Sequence, residues 1–218
     1  MKKIFKMLLL LACVITAAVL VSCVGVSADI SIKADGSGRI SLEYRVSQML
    51  ESMGRLDGNE RWPAIPVGKA DFERSLARIP GLRLISHKVK EVSNDSGGKD
   101  LVTKVVLEFS DTSALLNFLD SSGTEAVLSQ ENGKNKLKLS LRNPSAGVVN
   151  ADFIRLMQDL TAGYNFYISM NVPKGADLSS LPAVPAAKTV AHGKKVSYNV
   201  DMAEFIKFGE DVELVIVW

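Results

Sequence analysis

Between residues 30 and 46 the apolar side chains fall on alternate positions, interrupted only by the stretch Asp35-Gly36-Ser37-Gly38. Ile30 and Ile32 precede it, and Ile40, Leu42, Tyr44 and Val46 follow. Alternation sends successive side chains to opposite faces of a strand, so a glycine-rich turn between two such runs specifies an antiparallel hairpin. The same grammar recurs. Leu82 to Val92 and Leu101 to Phe109 flank the polar stretch Asn94 to Lys99, while Ala126 to Ser129 and Lys134 to Leu141 flank Glu131-Asn132-Gly133-Lys134. A hairpin apolar on one side is unstable until another layer covers that side. The fold class expected is therefore α+β, a largely antiparallel sheet built from hairpins alternating with short amphipathic helices.

The covering helices are read from 3.6-residue spacing. Val46, Met49, Leu50 and Met53 form one stripe; Phe72, Leu76 and Ile79 form a second, stopped by Pro80-Gly81. A third helix starts at Asp111 or Thr112 and packs Leu115, Leu116, Phe118 and Leu119. A fourth is capped by Asp152, buries Phe153, Leu156, Met157 and Leu160, and ends at Gly163. Asp201-Met202-Ala203-Glu204 is a capping box that opens a short helix through Phe208. Tyr164 to Val172 carries apolar residues in both phases, as a central strand does. Lys195 to Val200 and Glu210 to Trp218 are further strands, and residues 173–189, rich in Pro, Ala and Ser, read as an irregular connection.

The N-terminus has a different character. Lys2, Lys3 and Lys6 precede an apolar run from Met7 to Val21 broken only by Thr16. At about fifteen residues the run has the length of a signal sequence and is short for a bilayer core of roughly 30 Å. It closes on Leu20-Val21-Ser22-Cys23, which has the form of a bacterial lipobox with cleavage between Ser22 and Cys23. The organisation expected is a signal peptide over 1–22, a lipidated cysteine and short tether over 23–28, and one α+β domain over 29–218. Cys23 would carry the diacylglyceryl group and a further acyl chain such as palmitate. Two or three chains hold a protein on a membrane stably, at about 0.8 kcal/mol per buried methylene. The competing reading is an uncleaved anchor helix with Cys23 a bystander. The location expected is the bacterial cell envelope, facing the periplasm or the exterior.

Composition excludes several function classes. Cys13 leaves with the signal and Cys23 is acylated, so no thiol pair remains for a disulfide or a cysteine metal site. Of 26 lysines and arginines, three leave with the signal, so 23 face 24 acidic residues, a balance unsuited to a general nucleic-acid binder. No nucleophile elbow, phosphate loop or His-Glu-x-x-His motif is present. The two histidines, His87 in a strand and His192 in a turn, have no metal-ligand spacing and read as surface side chains. Neither a catalytic residue, a metal site nor a cofactor is expected.

Three features could carry binding. Lys134, Lys136, Lys138 and Arg142 share one face of a strand, with Leu137, Leu139 and Leu141 on the other. That face suits anionic headgroups, or is a solvated face whose lysines discourage strand pairing. Trp62 and Ile65, each followed by a proline (Pro63 and Pro66), form a stiff apolar projection toward a membrane or partner, or a lid over the core. The third is the supply of apolar faces. Periodicity does not distinguish a filled core from one with room for an acyl chain.

The stretch Ala28-Asp-Ile-Ser-Ile-Lys-Ala-Asp-Gly-Ser-Gly-Arg-Ile-Ser-Leu-Glu-Tyr-Arg-Val-Ser47, directly after a lipobox, resembles the opening of the LppM-domain family of bacterial lipoproteins. Members begin with a strand, an Asp-Gly-x-Gly-like turn and a second strand. The resemblance implies a membrane-apposed α+β domain that binds envelope lipid or glycolipid and is not an enzyme. It carries over no site residues. The function expected is a non-enzymatic, membrane-anchored envelope lipoprotein that binds lipid, glycolipid or the membrane surface; the alternative is an assembly module for another envelope protein.

Overall fold

The computed structural model describes residues 24–47, 68–93, 97–121, 125–143, 145–148 and 150–218. The chain is α+β. Its first hairpin is β1 (Val24–Ile32) and β2 (Gly38–Ser47). Asp35 holds the turn by accepting from the Ser37 hydroxyl and amide at 2.8 and 3.0 Å, and these bonds lower its pKa. Gly38 has no room for a side chain, since a Cβ there would run into the Ser31 carbonyl and the Phe109 ring. Helix α1 (Lys69–Leu76) buries Phe72 and Leu76. Then come β3 (Leu82–Ser93), β4 (Lys99–Phe109) and α2 (Thr112–Ser121), capped by Asp111 through the Ala114 amide. The third hairpin is β5 (Glu125–Glu131) and β6 (Lys134–Leu141).

Helix α3 (Ala151–Thr161) leads to β7 (Asn165–Asn171), followed by β8 (Asp177–Leu181), β9 (Lys188–His192) and β10 (Lys195–Asp201). Helix α4 (Met202–Phe208) starts at Asp201, whose carboxylate accepts from the Ala203 and Glu204 amides at 2.9 and 3.2 Å, and β11 (Val212–Val217) completes the described chain. The strands form two sheets. A seven-stranded sheet runs β3-β4-β2-β1-β7-β10-β9, and a four-stranded one runs β5-β6-β11-β8. Every pairing is antiparallel except β1 with β7. One continuous core joins the sheets, from Ile30, Ile40 and Leu107 in the large one to Leu137, Leu139, Leu214 and Ile216 in the small one.

Several expectations are corrected. Residues 24–28 are not a tether: Val24 to Ala28 are laddered to β2, and from Val26 onward to β7. Val46 is a buried strand residue rather than the start of a helix, and the rest of that expected helix, Met49 to Met53, lies outside the described residues. The helix over 151–161 is entered by Asn150, whose side-chain oxygen accepts from the Asp152 amide at 3.0 Å, so Asp152 sits in the first turn. Leu156 on that helix is 49% exposed, whereas Met157 is fully buried. The stretch 173–189 is not wholly irregular, because β8 completes the small sheet against β11. Its serines at 179 and 180 hide the strand signal.

Candidate functional site

The large sheet has two unlike faces, fixed by register. On the outward face Ser27, Asp29 and Ser31 of β1 lie beside Tyr167, Ser169 and Asn171 of β7. Ser169 donates to Asp29 at 2.7 Å. Farther along, Glu108 binds both Arg39 (3.0 Å) and Arg83 (2.6 Å), which lowers its pKa, and Glu43 binds Lys104 and Arg45. On this face Glu43 and Glu108 pair with cations of their own and neighbouring strands.

The inward face divides along its length. Toward the C-terminal end of β1 it is closed: Ile30 lies beside Ile40 and Met170, which continue into Leu107 and Val196, and all five are buried. Nearer Val24 the cover is incomplete. Val26 and Ala28 of β1, Leu42 of β2 and Phe166 of β7 are only partly buried, although they belong to the middle strands of the sheet. Register makes them neighbours, Ala28 opposite Leu42 and Val26 opposite Phe166. The main helix–sheet contacts explain this, for α1 sits on β3, α2 on β4 and α4 on β10, to either side of those strands. These four make a partly covered apolar stretch, a shallow trough between the helices, at the end of the sheet where β1 begins.

Polar atoms without partners border the trough. Thr103, on β4 opposite Tyr44, is 0% exposed, and its hydroxyl oxygen has no hydrogen-bond partner. On β3, His87 faces the same way, and its Nε2 is likewise buried and unpartnered. His87 is therefore no ordinary surface histidine. The Phe72 ring from α1 lies 5.8 Å from it and 6.3 Å from the Tyr44 ring. On the opposite side, Tyr198 of β10 meets Phe166 edge-on at 6.4 Å. Its hydroxyl is buried and unpartnered, and burial pushes its pKa up to about 12. A buried polar atom left without a partner costs about 1–3 kcal/mol, and Thr103, His87 and Tyr198 carry three of them on the inward side of this sheet.

The other candidate residues fall elsewhere. Lys134, Lys136, Lys138 and Arg142 lie along the outward side of the small sheet, as expected, but most of this charge is compensated. Lys136 binds Glu131 at 3.0 Å, Lys138 binds Glu213 at 2.8 Å and Arg142 binds Glu125 at 2.6 Å. His192 is exposed at the end of β9, opposite Lys195. Trp62, Ile65, Ser22 and Cys23 lie outside the described residues. Among the described residues no helix is long and apolar enough to cross a membrane.

No protein-family profile matches the chain. No curated protein is similar to it in sequence. Among solved structures it is similar to the folded domain of the Mycobacterium tuberculosis LppM protein, determined by NMR. The identity is 10%, 88% of each chain is covered, and the TM-score is 0.45.

Proposed function

We propose that the chain is a non-enzymatic lipoprotein of the bacterial envelope, anchored by a diacylglyceryl group on Cys23, that receives part of an envelope lipid or glycolipid in the trough on its large sheet. One observation carries this reading. β1 begins at Val24, immediately after the lipobox cysteine, and the partly buried apolar residues start two positions later at Val26. With no slack between the anchor and the sheet, an acylated Cys23 would hold the open end of the trough against the headgroup layer. The paired cations at 136, 138 and 142 give little support to a headgroup-binding role for the small sheet.

The test is lipid retention. Full-length protein extracted from membranes and washed in detergent is analysed intact by mass spectrometry for lipid carried in addition to the covalent anchor. Retention of about one lipid per chain is expected, reduced when Ala28→Trp fills the trough. Absence of retained lipid, or equal retention by that variant, contradicts the reading.

The second reading, an assembly module for another envelope protein, is favoured by β9. This edge strand has all five residues exposed, including Val190 at 56%, and such an edge offers unpaired backbone groups to a partner strand. A photo-crosslinker at position 190 in cells should then trap one dominant protein; scattered adducts count against it.

A further inference from the structure

We infer that the trough selects an amphiphile with an uncharged, hydroxyl- or ester-bearing head, and that the head docks at Thr103 and His87. The inference rests on the trough being a lipid site and names the chemistry that it recognises. Thr103 Oγ1 and His87 Nε2 are both buried, both without a partner within the protein, and both on the inward face. Val89 lies directly opposite Thr103 and His87 two residues before Val89, which places the two polar side chains in the diagonal relationship of about 7–8 Å between Cα atoms. A hydroxyl or ester group matches the pair chemically once the side chains over them part, because a threonine hydroxyl donates and accepts and an imidazole nitrogen does one or the other.

The setting restricts what can bear those groups. Val89 is 42% exposed on the inward face, so the polar pair is reached past an apolar rim. The Phe72 and Tyr44 rings line the approach, and Leu42 and Ala28 continue the apolar floor away from it. In the rows of the inward face from Val24 to Ala28 no strand residue is a lysine or arginine, and the one carboxylate, Glu91, is bound to Lys99 at 2.9 Å. Among the described residues of these rows an anionic head would meet no cation, and desolvation then strongly disfavours it. A neutral head meets two hydrogen-bonding atoms that otherwise have none. Lys99, one row farther out on the inward side, is engaged with Glu91, and the other strand cations of this sheet among the described residues lie on the other side, engaged with Glu43 and Glu108 or directed to solvent.

The test uses full-length protein in isolated membranes and two photoreactive probes with the same diazirine-bearing chain, a 1-monoacylglycerol and the corresponding fatty acid. Adducts are mapped by peptide mass spectrometry at pH 7. The monoacylglycerol is expected to label peptides containing Leu42, Val89 or Phe166 at least about tenfold more than the acid. Thr103→Val, which keeps the side-chain shape and deletes the hydroxyl, is expected to reduce that labelling about tenfold, the effect of one lost hydrogen bond. Its unfolding midpoint is expected to stay unchanged or rise, because the hydroxyl has no partner within the chain. Equal labelling by the acid, or undiminished labelling of Thr103→Val, overturns the neutral-head inference and leaves the lipid site standing. Labelling of none of these peptides by either probe removes the lipid site itself, and the inference with it. A fall in the unfolding midpoint without a change in labelling assigns Thr103 to the fold and overturns the inference.

Discussion

The Tyr164 hydroxyl donates to Asp100 at 3.0 Å across the end of the large sheet where β1 begins. The two residues are 64 positions apart, one just before β7 and the other at the start of β4. Between those strands lie β2 and β1, and the Tyr164 ring rests against Gly25, where an added Cβ would come within 3.1 Å of its Cδ1 atom. A strap of this kind ties four strands together at the end proposed to meet the membrane. It also gives a physical reason for glycine at position 25.

Tyr164→Phe is expected to destabilise the fold by about 1–3 kcal/mol, because the buried Asp100 carboxylate loses a donor. Gly25→Ala should be destabilising in the native chain and close to neutral beside Tyr164→Ala. Urea unfolding of the two single variants and the double variant measures that coupling. Additive effects would contradict the strap.

The connection after β6 fastens α4. The Asn143 amide group donates to the Phe205 carbonyl, the Ser145 hydroxyl is shared between the Ile206 carbonyl and Asn143, and the Asn143 backbone amide donates to Asp211 at 2.7 Å. These bonds occupy carbonyls that the last turn of a helix cannot satisfy internally. Asn143→Ala and Ser145→Ala are each expected to cost about 1–3 kcal/mol, with the double variant costing less than the sum. Thermal or chemical unfolding followed by circular dichroism reads both quantities.

Tyr198 makes stability fall at alkaline pH. Its pKa is raised from 10.0 to about 12 by burial, so above pH 10 the unfolded chain loses this proton first. The contribution is fully present below pH 10 and is lost as pH rises toward 12, by about 2–3 kcal/mol over that window. Tyr198→Phe should remove this part of the alkaline loss without lowering stability at pH 7, since the hydroxyl has no partner there. Urea midpoints between pH 8 and 11.5 decide it; parallel curves for the two proteins would show that the phenol is not protected.

The cationic side of the small sheet should prove bland. Replacing Lys136, Lys138 and Arg142 together by Gln is expected to change stability by about 1 kcal/mol per pair at most, as for other exposed ion pairs, and to leave the binding of anionic vesicles unchanged. A clear loss in a vesicle sedimentation assay would restore this surface as a membrane contact.

The hairpins were legible because alternation and turn chemistry agree locally. Asn132 takes a positive φ of 53° and Gly133 one of 74° in the turn expected there. Asp201 was legible as a cap for the same reason, since a cap needs only its own helix. What escaped depends on distant partners. Val24-Gly25-Val26-Ser27-Ala28 lacks clean alternation and reads as a tether until β2 and β7 are placed on either side of it. β8 is invisible in a Pro- and Ser-rich stretch because its regularity comes from β11. Leu156 follows helical spacing, yet the face that it shares is set by how α3 meets α4. The trough was hardest to see. Val26, Ala28, Leu42 and Phe166 have the spacing of core residues, and only the positions of the helices leave them partly open. His87 carried no motif, and its orientation toward Phe72 follows a register shift between Leu84 and Ser86.

Cys23 is the proposed attachment point beside the first strand. Cells producing the full chain or Cys23→Ala are labelled with radioactive palmitate, and their membranes are separated from soluble fractions. The unaltered chain should be labelled and sediment with membranes. Cys23→Ala should be unlabelled and, once the signal is removed in the usual way for a secreted protein, soluble with the same unfolding midpoint. Label retained on Cys23→Ala, or an unlabelled native chain that stays with membranes, would contradict a lipid anchor at this position.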